Sequence, residues 1–68
     1  MGSTIIIRLN DVKKMTGLSR SSIYDLISKG LFPKQIKLTP RSSGWVLSEI
    51  QQWLDDRIAA RDAEMVAA

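Results

Sequence analysis

The Thr-Gly-Leu-Ser sequence at residues 16–19 constrains the fold most, because it ends one helix and begins another within four residues. Gly17 can adopt the left-handed conformation that closes a helix, and Ser19 is a natural N-cap for the next helix. Leu18 lies five residues before Ile23, and this apolar pairing fixes how a chain enters a helix. The segment therefore predicts a helix-turn-helix.

Apolar side chains recur at helical spacing on both sides of this turn. Val12 and Met15 give the first helix one apolar edge, and its expected N-cap is Asn10. The second helix is expected over residues 19–29. Its inward side is formed by three residues at helical spacing: Ile23, Leu26 and Ile27.

The residues after Gly30 predict a β-hairpin. Pro33 cannot continue a helix, because it lacks the amide hydrogen. The β-prone runs 35–38 and 45–47 flank residues 39–44, which have the composition of a loop. We expect a hairpin, or wing, over residues 35–47. The β-branched run at residues 4–9 is expected to form a short strand or an extended arm.

Ser48 and Gln51 form a capping-box pattern that predicts the start of a third helix. Its expected buried stripe is Ile50, Trp53, Leu54 and Ile58. We expect Trp53 to be buried and Trp45, on the wing, to be partly buried.

The length allows one small domain, which we assign to residues 5–58 as a mainly α fold with a small β-hairpin. Residues 1–4 are expected to form an N-terminal tail. Residues 59–68 are expected to form a C-terminal tail, helical or frayed, because they have little to bury.

The composition argues against several classes of function. The chain contains no cysteine and no histidine, the commonest zinc ligands, and histidine is also the commonest general base at neutral pH. The carboxylates are scattered and no Gly-rich phosphate loop is present, so we expect no enzyme and no cofactor or metal. Without a run of roughly 20 apolar residues or a signal-peptide pattern, we expect no membrane contact and a cytoplasmic location.

The charge is distributed unevenly along the chain. Residues 1–46 carry eight Lys or Arg against two acidic residues, a net charge of +6, whereas residues 47–68 carry two against five, a net charge of −3. A polyanion would therefore be bound by the first part of the chain.

The outward face of the second helix suits the major groove of DNA. With the isoleucines inward, the face carries Arg20, Ser21, Tyr24, Asp25 and Ser28. Hydroxyl and guanidinium groups at the start of such a helix match base edges and phosphate oxygens, and we include Ser22 among the candidate contacts. Asp25 is expected either to accept from a cytosine amino group or to pair with Lys29.

From about residue 8 to residue 57 the chain carries an ordered set of motifs: the Thr-Gly-Leu-Ser turn, Ser-Ile-Tyr on the second helix, Phe-Pro after Gly30, the basic strand from Gln35 to Leu38, Gly44-Trp45, and Ser-Glu-Ile before Trp53-Leu54. As an ordered set these motifs resemble the AlpA family of small prophage regulators, which belongs with the MerR-like and excisionase-like winged helix-turn-helix proteins.

The resemblance implies a regulator that binds double-stranded DNA, with residues 19–29 as the recognition helix in the major groove. It implies that Arg20, Ser21 and Tyr24 face the groove and that Lys37 and Arg41 are wing contacts on the DNA backbone. Lys34 also lies beside the hairpin, and we include it among the DNA-binding residues. Relatives are often basic after the tyrosine, where this chain has Asp25.

Two other functions remain open from the sequence. An excisionase-type architectural factor would share the fold and the chemistry, and would show bending and in-phase cooperative loading on DNA. A protein-interaction module on the same fold would show no salt-dependent DNA binding. Because one domain this small buries little surface, we expect a homodimer or a cooperative array on DNA, and an integrase is a further candidate partner.

Overall fold

The computed structural model describes residues 4–67, with the side chains of residues 4–64. Within these described residues, three helices accompany a three-stranded antiparallel sheet of order β1-β3-β2. The elements are β1 (Ile6–Ile7), α1 (Leu9–Thr16), α2 (Arg20–Ser28), β2 (Ile36–Thr39), β3 (Ser42–Val46) and α3 (Leu47–Ala67). The fold is a winged helix-turn-helix, as predicted, and the predicted N-terminal arm supplies the third strand.

The first helix begins earlier than predicted. Its N-cap is Arg8 rather than Asn10, so that prediction was wrong. Arg8 follows β1 directly, and Leu9 packs against the core. This burial outweighs the capping preference of asparagine, because tertiary packing supplies most helical stability in proteins. The helix ends as predicted at Gly17, whose φ is 71° and whose amide donates to the Lys13 carbonyl oxygen at 2.8 Å.

The second helix has the predicted cap and orientation. Ser19 Oγ accepts a hydrogen bond from the Ser22 amide at 3.2 Å. Ile23 is fully buried, and Leu26 and Ile27 pack against the core. The opposite face of α2 is therefore exposed.

The wing, which comprises β2, β3 and the connection between them, turns more tightly than predicted. Only residues 40–41 separate the strands, so the predicted loop at 39–44 is too long. Its small residues instead belong to the crowded central strand. A Cβ atom on Gly44 would lie 2.5 Å from Ile6 Cγ2 and 3.0 Å from the Ile7 carbonyl oxygen. Glycine at this position lets β1 and β2 approach β3 from both sides.

The core consists of Val12, Ile23, Phe32, Trp45 and Ile50. Trp45 is only 1% exposed, so the expectation of partial burial was wrong. Its indole Nε1 donates to the Pro33 carbonyl oxygen at 3.1 Å, which satisfies the ring's one polar group. Trp53 is half-buried rather than buried, packs edge-on against Phe32, and donates to the Leu31 carbonyl oxygen at 2.8 Å.

The third helix follows β3 without a turn. It begins at Leu47, so the predicted N-cap at Ser48 and the extension of the wing to residue 47 were wrong. The Leu47 amide donates to the Ile5 carbonyl oxygen at 2.8 Å and continues the sheet's hydrogen bonding, which removes the need for a side-chain cap. Ile50 is buried as predicted, but Ile58 is 48% exposed because α3 has left the body of the domain there.

The ends of the chain complete this description. α3 continues to Ala67, so the described part of the predicted C-terminal tail is helical, and residues 59–64 are exposed. Ala68 and the predicted N-terminal tail, except Thr4, lie outside the described residues. None of the helices that the structure describes is both long and apolar enough to cross a bilayer.

Candidate nucleic-acid interface

The exposed face of α2 has an outer row and a flank. Successive helical residues turn by about 100°, so Ser21, Asp25 and Ser28 lie opposite the buried Ile23. We call these three residues the outer row. Arg20 and Tyr24 occupy the flank that faces the wing, and all five side chains are exposed as predicted.

Two of the serines at the start of α2 serve as a cap. Ser19 Oγ accepts from the Ser22 amide and donates to Ser22 Oγ at 3.0 Å. Both residues remain exposed. The cap holds the helix start open to solvent, where the amide groups of the first turn favour an anion.

Aromatic contacts connect this helix to the wing. The Arg20 guanidinium carbon lies 5.7 Å from the centre of the Tyr24 ring. The Tyr24 and Trp45 rings are 6.5 Å apart at an interplanar angle of 57°. Because Trp45 is fixed in the core, Tyr24 and Arg20 are positioned relative to the wing and not only to their own helix.

Between α1, α2 and the wing lies a cleft of about 350 Å³, which we call the arginine cleft. Arg8 and Arg41 line it together with Tyr24, Ser43 and Trp45. The structure thus brings Tyr24 and Arg41 to the same cleft. Arg8 was missed, because only the pairing of Ile7 with Trp45 places it beside the wing.

The two lysines of the predicted interface lie in different surroundings. Lys37 pairs with Ser43 across the sheet, so its side chain leaves the same face of the wing that lines the arginine cleft. Lys34 instead lines a larger groove of about 700 Å³, together with Glu49 and Asp56 of α3. The structure does not bring Lys34 to the cleft.

Comparison with known proteins identifies the family of this chain. Residues 5–58 match the protein family described as prophage CP4-57 regulatory protein (AlpA). The chain belongs to the AlpA family. The description of that family is of a regulatory protein.

Two relatives illustrate the match. The AlpA-family chain is 46% identical over 55 residues to the uncharacterized protein ORF88 of Enterobacteria phage P4. The matched segment covers 81% of this chain and 62% of the phage protein. It is 38% identical over 58 residues to the DNA-binding transcriptional activator AlpA of Escherichia coli, which covers 76% of this chain and 83% of that protein. The chain therefore spans less than two thirds of the phage P4 relative.

One residue of the outer row in this AlpA-family chain forms an ion pair. Asp25 Oδ2 lies 2.9 Å from Lys29 Nζ, and both side chains are more than half exposed. This geometry is the i,i+4 pair that was one of the two expectations for Asp25. The Ser28 hydroxyl donates to the Asp25 carbonyl oxygen at 2.7 Å, which leaves its oxygen lone pairs to accept from a ligand.

The site has no arrangement typical of a metal centre. Within the part of the chain that the structure describes, no three carboxylate, cysteine or histidine side chains are grouped so that they could hold a metal ion. The chemistry that the site offers is hydrogen bonding by guanidinium, ammonium, hydroxyl and phenol groups and by the Asp25 carboxylate.

Proposed function

We propose that this chain is a sequence-specific DNA-binding transcriptional regulator of prophage or other mobile-element genes. The observation that carries the proposal is the arginine cleft, which groups Arg8 and Arg41 around Tyr24 between a helix and a wing. Membership of a prophage regulatory family supports it, as does 38% identity to a protein named as a DNA-binding transcriptional activator.

In this proposal α2 enters the major groove, which admits one α-helix and displays distinct hydrogen-bonding groups for each base pair. Arg20, Ser21 and Tyr24 face the base edges near the start of the helix, where helix-turn-helix proteins contact bases. Ser22 and Ser28 offer further hydroxyl groups to bases or to phosphates.

The wing and the arginine cleft contact phosphates. Arg8, Lys37 and Arg41 project from the cleft or from the wing face that lines it, so one DNA backbone strand along this face would meet all three. Lys34 lies in the groove beside Glu49 and Asp56, and its contact with DNA stays a prediction. Roughly five phosphate contacts give a slope of about −4 to −5 for log K against log salt.

We also propose that operator binding uses two copies of the chain. A single small domain buries less DNA-facing surface than tight specific complexes require, so a dimer or adjacent copies on repeated half-sites would supply the rest. Genes of integration and excision are the proposed targets, and an integrase is the proposed protein partner where the chain acts in recombination.

The proposal can be tested by genome-wide footprinting followed by salt titrations on the sites found. We expect the wild type to protect a small set of sites. Arg20→Ala should lose base discrimination, whereas Arg41→Ala should weaken all sites alike and reduce the salt slope by about 1.

Arg61→Ala is the matched control, because Arg61 lies on α3 outside the arginine cleft and pairs with its neighbour Asp62. It removes the same charge and should leave footprints and slope unchanged. If Arg41→Ala and Arg61→Ala lose the same DNA affinity, Arg41 contributes only its charge and its place in the cleft does not matter. Absence of salt-dependent binding by the wild type would refute the proposal.

A further inference from the structure

The charged side chain that projects furthest outward from α2 is Asp25. Measured around the helix from the buried Ile23, Asp25 lies about 160° away, whereas Tyr24 lies about 100° and Arg20 about 60° away. A helix that enters a groove with its outer row leading therefore presents a carboxylate on its leading face, beside Ser21 and Ser28.

A carboxylate is an unfavourable group to bring towards a polyanion, and residues 1–46 contain only two. The other, Asp11, has a structural role, because it accepts a hydrogen bond from the Arg8 amide at the start of α1. Asp25 has the ion pair with Lys29, whose partners are 57% and 61% exposed. Because both charges stay solvated, such pairs contribute little to stability, and stability does not explain Asp25.

The chemistry of the major groove explains it better. An ionised carboxylate only accepts hydrogen bonds, and phosphates repel it, so its partner on DNA has to be a base amino group. In the major groove cytosine presents its N4 amino group, whereas adenine places the N7 acceptor beside its N6 amino group. The lone pairs of adenine N7 oppose a second carboxylate oxygen, which favours cytosine.

We propose that Asp25 is a specificity-determining residue that accepts a hydrogen bond from the N4 amino group of one cytosine in the operator. Lys29 orients the carboxylate in the free protein and offsets its repulsion from the phosphates as the helix enters the groove. This inference rests on the proposed function and adds to it the identity of one base that the outer row reads.

The test is a selection from duplexes with a randomised site, carried out with the wild type and three variants. The wild type should select cytosine at one position, with a preference of roughly 5- to 30-fold over the other bases. Asp25→Ala should reduce this preference to about twofold or less while the other positions keep theirs. Asp25→Asn should shift the preference to adenine, because an amide can pair with both N6 and N7.

Lys29→Met is the matched control, since it breaks the ion pair and leaves the carboxylate in place. It should retain the cytosine preference, with weaker binding to all sequences. The inference is overturned if Asp25→Ala keeps the wild-type preference at every position and only binds all duplexes more tightly, because Asp25 would then act by repulsion alone. In that case the proposed function would stand, whereas a wild type that selects no sequence at all would refute both.

Discussion

Gly44→Ala tests whether β1 can lie this close to β3 only because residue 44 has no side chain. The added Cβ would lie 2.5 Å from Ile6 Cγ2, where two carbon atoms prefer about 3.5–4.0 Å, and 3.0 Å from the Ile7 carbonyl oxygen. Overpacking of this kind costs about 1–3 kcal/mol. Replacing glycine by alanine also restricts the unfolded chain, which returns about 0.4–1 kcal/mol. We expect a net loss of about 1–2 kcal/mol in the free energy of unfolding.

The assay is urea unfolding followed by tryptophan fluorescence, because Trp45 on β3 reports directly on the sheet. For a domain of this size the expected loss corresponds to a decrease in Tm of roughly 5–15 °C. A double-mutant cycle then tests the cause. Ile6→Ala removes Cγ2 and should make the Gly44→Ala change cheaper by about 1 kcal/mol.

Ile6→Val is the matched control in this cycle, because valine keeps Cγ2 and so keeps the clash. Gly17→Ala offers a second comparison: its added Cβ meets open space, but its φ of 71° strains the backbone. Its cost should not depend on Ile6. If Gly44→Ala is as stable as the wild type, or costs the same beside Ile6→Ala as beside Ile6→Val, the reasoning about the close approach is refuted.

Two further substitutions test a cap and a core hydrogen bond. Ser19→Ala should lower the free energy of unfolding in urea by about 1 kcal/mol, because the Ser22 amide loses its acceptor. Ser48→Ala in α3 should lower it little. Equal losses in the two variants would contradict the cap assignment. Trp45→Phe should cost about 1–3 kcal/mol, because the Pro33 carbonyl loses its donor in a part-buried place. Trp53→Phe should cost less in the same assay, because water can reach the Leu31 carbonyl, and the reverse order would contradict the burial argument.

The helix-turn-helix could be predicted from the sequence because its determinants are local. Gly17 and Ser19 act within their own turn, and Ile23 marks the buried side of α2 by its spacing alone. The wing was harder to predict from the sequence. Gly44 has the character of a loop residue, and its role in the sheet follows only from the positions of β1 and β2 on either side of it. The prediction of Ser48 as an N-cap was wrong for the same reason. The start of α3 uses a hydrogen bond from the Leu47 amide to the neighbouring strand in place of a side-chain cap.

For the candidate site, too, the sequence predicts what depends on local spacing and not what depends on the fold. Exposure of Arg20 and Tyr24 follows from helical spacing, and both are exposed in the structure. Arg8 carried no local sign of a role, because its place beside Arg41 depends on the pairing of two strands far apart in the sequence. Lys34 is the reverse case. It lies next to the wing in the sequence, but the fold does not place it at the arginine cleft.

The uneven charge along the sequence becomes an uneven charge in space. The fold places Arg8 and Arg41 at the arginine cleft, whereas Glu49 and Asp56 line the groove beside α3. A domain that was basic on every side would meet DNA in many orientations, most of them with α2 turned away from the groove. Acidic residues on α3 penalise those encounters, because like charges repel within about 10 Å at 0.1 M salt. If the chain binds DNA as proposed, the acidic third helix would favour approach with α2 turned towards the duplex, and the net charge of +3 would act as a directed charge.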